Sequence, residues 1–89
     1  MFYFHFENGS IYLDRDGLDL SDVQAARSEA IATIAHILRD GDIDSLWTGK
    51  PLRMWVTNKP DGSGTVLFML NISASGSSQQ ELRSASAVV

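Results

Sequence analysis

The chain has 89 residues, 44% of them hydrophobic and 20% charged, which is enough for one domain around one core and too apolar for wholesale disorder. It contains no cysteine, so a disulfide framework, thiolate metal ligation and thiol chemistry are excluded together. The formal net charge of −4 is uneven, with nine acids against three arginines in residues 1–44 and two acids against four basic residues thereafter. A net-acidic chain repels phosphate backbones, which disfavours nucleic acid as a partner. No basic segment leads into an apolar run at the start, and no apolar stretch reaches membrane-spanning length, so the expectation is a cytoplasmic protein with no membrane association.

The first element is a hairpin. In FHFENGSIYL, Asn8-Gly9 separates two alternating apolar runs, a strong hairpin signal. A two-residue type I′ loop would pair Glu7 with Ser10, Phe6 with Ile11, His5 with Tyr12 and Phe4 with Leu13. The two-residue period then puts Phe2, Phe4, Phe6, Ile11 and Leu13 on one face and Tyr3, His5 and Tyr12 on the other.

The DRDGLDL segment leads to a helix, with Ser21 and Gln24 as a capping box and Asp22 in the first turn. Val23, Ala26, Ala30, Ile34, Ile37 and Leu38 recur at helical spacing, Ile31 flanks them, and Gly41 is the expected left-handed terminator. Alanines at 26 and 30 let the helix axis approach a sheet closely. Residues 42–51 read as a loop anchored by Ile43, Leu46 and Trp47.

LRMWVTN and TVLFMLNI form two further strands around the turn-rich KPDGSG. Leu52, Met54 and Val56 alternate with Arg53, Trp55 and Thr57. In the last strand Val66, Phe68, Leu70 and Ile72 alternate with Leu67, Met69 and Asn71. These apolar faces match only if residues 58–64 include a bulge or an odd-length loop. From Ser73 the composition turns to Ser, Ala, Gln and Gly without an aromatic residue, which predicts a domain over 1–72 and a flexible tail over 73–89.

The order is β-β-α-β-β, an α+β fold with one helix packed on a four-stranded, mostly antiparallel sheet. One helix covers one face. The other presents Tyr3, His5, Tyr12, Trp55, Leu67 and Met69, more apolar than a face left in water normally reads. These six residues are the candidate interface. A second copy in a two-fold dimer is the simplest cover; a protein partner, a ligand, the 42–51 loop and the tail are the alternatives.

Tyr3-Phe4-His5-Phe6, then Asp14 to Gly17 with Leu18-Asp19-Leu20-Ser21-Asp22, then the alanine-spaced helix and Val56-Thr57-Asn58, together resemble a family of short bacterial proteins of unknown function. The resemblance spans residues 2–72. Asn58 stands where the family has an acid, and the turn after it is longer. What the resemblance implies is the fold; it carries no activity, cofactor or site. At fold level alone, a hairpin feeding an alanine-rich helix is also similar to small antitoxin domains with a partial double-stranded-RNA-binding fold.

No other motif reaches the chemistry it suggests. Asp14, Asp16 and Asp19 have the alternation of a calcium loop, but Ala25 holds the position of the required bidentate Glu, so turn and capping acids are the better reading. His5 and His36 have no nucleophile or second ligand at a telling spacing. Trp47, Lys50, Arg53, Trp55 and Lys59 mix rings and cations as single-strand binders do, on three charges only. The sequence therefore predicts a non-enzymatic interaction domain, without cofactor or metal, that self-associates through the six-residue face. An antitoxin-like regulator, binding a protein partner with or without nucleic acid, and a small-molecule-binding module are the alternatives.

Overall fold

A computed structural model describes residues 1–75. Along the chain come β1 (Tyr3–Glu7), β2 (Ile11–Tyr12), α1 (Val23–Asp40), α2 (Asp44–Trp47), β3 (Leu52–Thr57), a 3₁₀ turn (Pro60–Gly62) and β4 (Val66–Ile72). The four strands make one antiparallel sheet in the order β2-β1-β3-β4. The fold is α+β, as its alternating and helical periodicities require.

The helix forms where its capping and spacing permit. Asp22, not Ser21, is the N-cap; its carboxylate accepts from the Ala25 amide at 2.8 Å. Ala26 and Ala30 are wholly buried and Ile34 nearly so, and the two alanines let the backbone of α1 settle against the sheet. Val23 and Ile31 lie in solvent. At the other end Gly41 is extended, at φ −86° and ψ 173°, and its amide still reaches the Ile37 carbonyl, so no left-handed residue is needed there.

The core lies on the α1 side of the sheet. Ala30, Ile34, Leu46, Leu52 and Met54 are its buried centre, with Phe4, Phe6, Ile37, Leu38, Ile43, Phe68, Leu70, Ile72 and Ala74 packed around them. Residues expected to form a plain loop contain α2, whose Leu46 is buried while Trp47 is 62% exposed. Ile43 and Leu46 are therefore part of this core and do not cover the opposite face.

The expected irregularity in the second hairpin is a bulge within the strands. Val56 pairs with Phe68, but Thr57 pairs with Val66, leaving Leu67 as the extra residue. Ala74 packs on the core, two residues past the expected end of the domain at Ile72. The predicted flexible tail otherwise lies mostly outside the described residues.

The first hairpin departs from its predicted register. Phe6 pairs with Tyr12 and Glu7 with Ile11 around a three-residue loop, Asn8-Gly9-Ser10. A type I′ turn needs positive φ at both central residues, and here only Gly9 has it, at +77°. A tertiary contact competes for Asn8: its side chain donates to the Asp42 carbonyl at 2.6 Å and accepts from the Ser45 hydroxyl at 2.9 Å, tying the hairpin tip to α2. One residue of slip turns the returning strand over. Tyr12 lies on the α1 side, stacked on Phe6 at 4.6 Å between ring centroids, and Ile11 and Leu13, expected in the core, are 61% and 42% exposed.

Candidate functional site on the outer sheet face

The sheet face away from α1 has two unlike halves. Over β1 it is closed by segments within the chain. The backbone leaving β2 turns at Asp14, and Leu18 then bridges back to Phe2 with two backbone hydrogen bonds of 2.8 and 2.9 Å. Asp14 organises this cover. One carboxylate oxygen accepts from the Asp16 and Gly17 amides at 3.0 and 3.1 Å, and the other accepts from the Phe4 amide at 3.0 Å. The Asp14 carbonyl accepts from the Asp61 amide of the 3₁₀ turn, and Arg15 pairs with the Asp61 carboxylate at 2.7 Å.

Gly17 lets the cover come this close. Its φ is +72°, and a Cβ added there would fall 2.6 Å from the Tyr3 ring. Only glycine meets both conditions.

Beneath this cover lies His5, wholly buried, beside Thr57, also wholly buried. The Asp14 amide donates to His5 Nδ1 at 2.9 Å, which leaves the ring proton on Nε2. Nε2 donates to Thr57 Oγ1 at 2.9 Å, and the Thr57 hydroxyl donates onward to the Lys59 carbonyl at 2.6 Å. The His5 ring nitrogens and the Thr57 hydroxyl all have partners, and the hydrogen bonds run in one direction throughout. Burial pushes the His5 pKa down, more than the nearby Asp14 and Asp61 carboxylates push it up. For Asp14, burial pushes up, but the amides of Phe4, Gly17 and Asp16 together with His5 outweigh it and hold the carboxyl below its usual range.

A histidine touching a threonine hydroxyl suggests a base and a nucleophile, and the geometry argues otherwise. The imidazole nitrogen facing Thr57 already carries a proton, so it cannot take one from the hydroxyl. Neither side chain is exposed to a substrate. Asp14 is equally engaged as a turn acid, its carboxylate filled by backbone amides.

Over β3 and β4 the same face is open. Trp55 pairs with His5 on one side and Met69 on the other, its ring 5.6 Å from the imidazole. Trp55, Val66 and Met69 line a shallow hollow of about 260 Å³ with Glu7 and Arg53 at its rim. Val66 and Met69 are about half exposed, and Trp55 is half-buried. The Glu7 and Arg53 side chains stand 3.9 Å apart across the β1–β3 pair, a loose and partly exposed contact.

The six residues predicted to share this face are thus divided. Trp55 and Met69 are together in the open half, and Leu67 is half-buried at the bulge next to Val66. Tyr3 is half-buried under Gly17. His5 is sealed rather than presented, because its ring nitrogens find partners within the chain. Tyr12 is on the opposite face because of the hairpin register. Val66, expected on the core side with Phe68, Leu70 and Ile72, is turned to the outer face by the bulge and joins the open half, where Arg53 lies on the side its alternation implies and Glu7 lies beside it. Of the mixed basic and aromatic set, Lys50 and Arg53 share a second hollow of about 330 Å³ with Glu7, Gly9, Gly49 and Pro51, so an acid offsets the cations there. His36 is exposed on α1, 3.3 Å from Asp40.

The His5–Asp14–Thr57 network is not legible in the sequence pattern. His5, Asp14, Gly17 and Thr57 are among the residues that carry the family resemblance, and the structure brings them to one place. No curated protein and no solved structure matches the chain. The family model for a domain of unknown function, DUF6894, matches residues 1–73, and the chain belongs to that family.

Proposed function

We propose that this protein is a non-enzymatic interaction domain that self-associates through the open β3–β4 half of its outer sheet face. The observation that carries the reading is the cluster of Trp55, Val66 and Met69 on a face that α1 does not cover. Large apolar side chains left in water forfeit roughly 1.5–3 kcal/mol each relative to burial. A two-fold contact requires the patch to complement itself. Glu7 and Arg53 meet that requirement, since each can face the other's counterpart across such an axis. The closed half supports the reading indirectly: its polar groups are satisfied internally, so association falls to the half with unburied apolar surface.

Sedimentation equilibrium on wild type and Trp55→Glu tests this. Wild type should form dimers at micromolar concentration, and the variant should shift toward monomer, because a buried unpaired carboxylate is costly. A wild type that remains monomeric at several hundred micromolar would overturn the proposal.

A further inference from the structure

The two edges of the sheet are protected very differently. β2 is two residues long and is followed, after Leu13, by Asp14-Arg15-Asp16, and short strands and charges are the usual ways an edge avoids pairing with another chain. β4 is the opposite edge. It has seven residues, Val66-Leu67-Phe68-Met69-Leu70-Asn71-Ile72, with no charge and no proline. The whole stretch from Gly62 to Gln80 carries no charged residue. The bulge at Leu67 is the one protective device in the strand, and it sits at its start, leaving Phe68–Ile72 regular. Among the described residues nothing pairs with the outer edge of β4.

We propose that Phe68–Ile72 pairs antiparallel with the same segment of a second copy, joining two sheets into one of eight strands. This rests on the protein self-associating as proposed above and gives it a second contact, edge to edge, distinct from the face-to-face contact through the patch. A second copy is the favoured occupant because the segment complements itself. A two-fold axis at Leu70 sets Phe68 opposite Ile72 and Met69 opposite Asn71, so apolar residues of the α1 side meet their own kind and the outer face continues across the junction. The edge is also continuous with the open patch, since Val66 and Met69 belong to both. Pairing the edges brings the Met69 side chains, and with them the two Trp55 clusters, onto one surface.

The absence of cysteine allows a test by single-cysteine variants of the full chain. Directly opposed residues of antiparallel strands have Cα atoms about 4.5–5.5 Å apart, within disulfide reach. A mixture of Met69→Cys and Asn71→Cys, oxidised and run without reductant, should give a covalent dimer joining the two variants. Either variant alone should not, because its own counterpart lies about two residues farther along the strand. Both positions are exposed, so the substitutions spare the core. A variant that crosslinks with itself, with no mixed Met69→Cys–Asn71→Cys dimer in the mixture, would overturn the Leu70 axis. A dimeric wild type with no crosslink at either position would overturn edge pairing and leave association through the patch standing. A monomeric wild type would overturn both.

Discussion

Over β1, the outer face ends in hydrogen bonds whose donors and acceptors all belong to the chain; over β3 and β4, it ends in apolar side chains. The two halves belong to one antiparallel sheet, yet they tolerate change differently. The closed half depends on directed contacts: a histidine with one tautomer, a carboxylate filled by three amides, and a glycine with no room for a methyl group. A buried polar group costs little when every partner is present and much when one is removed. The open half has no such requirement. The apolar side chains of Val66 and Met69 have no hydrogen-bond partner to lose, which leaves them available for contacts outside the fold.

The largest expected loss is therefore at Gly17. Gly17→Ala combines a left-handed backbone with a Cβ placed against the Tyr3 ring. Backbone strain alone is worth about 1–3 kcal/mol, and the contact adds to it. At about 4–8 °C per kcal/mol for a domain of this size, thermal melting followed by circular dichroism should show a drop of roughly 10 °C or more. An unchanged midpoint would mean that the Asp14–Leu18 cover is not held closely over β1.

Next is Thr57. Thr57→Val leaves the His5 Nε2 proton buried without an acceptor, at a cost of about 1–3 kcal/mol. Thr57→Ser keeps the hydroxyl and should recover most of that loss. Equal destabilisation by Val and Ser would show that packing, and not the hydrogen bond, holds this site.

The closed half also sets a pH dependence. His5 has a folded pKa below its ordinary value of 6.5, so the unfolded chain binds its proton more readily. Its contribution is fully present above pH 6.5 and declines as the pH falls below that value. Asp14, also lowered, contributes above its ordinary 3.8 and is lost as the pH falls further. Both act in the same direction. Urea midpoints should fall as the pH is taken from 7 to 5 and fall again below 4. An NMR titration showing His5 protonated with a midpoint of 6.5 in the folded protein would contradict this burial.

The sequence makes some of these differences legible and hides others for identifiable reasons. The strands, the helix and the alanine-lined contact follow from periodicity, because period 2 and period 3.6 each report one buried face. The register of the first hairpin does not follow from Asn8-Gly9. That pair has a local preference for a two-residue turn, but the Asn8 side chain binds Asp42 and Ser45, more than thirty residues away. The slip also aligns Asp14 with β1, where its amide meets His5 and its carboxylate meets Phe4. Local propensity carries no information about those partners. Tyr12 consequently lies on the opposite face from the one expected, while His5 keeps the expected face and is sealed there by the segment around Asp14. Trp55 and Met69 were placed correctly, because β3 alternates cleanly and is paired on both sides.

The smallest effect on folding is expected in the open half, at Met69. Met69→Lys puts a charge on a side chain that is 48% exposed, in the middle of the uncharged edge strand. Lysine can lay its methylenes along Trp55 and keep its ammonium in water, so the folded monomer should change by no more than about 0.5 kcal/mol. Association is the sensitive quantity. Lysine on an exposed edge discourages strand pairing, and in the proposed geometry two such charges would approach each other across the axis. Sedimentation equilibrium should shift toward monomer while the melting temperature, measured at a concentration where wild type is also monomeric, stays within a few degrees. A large loss of stability would place Met69 among the structural residues of the sheet and blur the division between its halves. An unchanged fold with unchanged association would remove the open half from the interface.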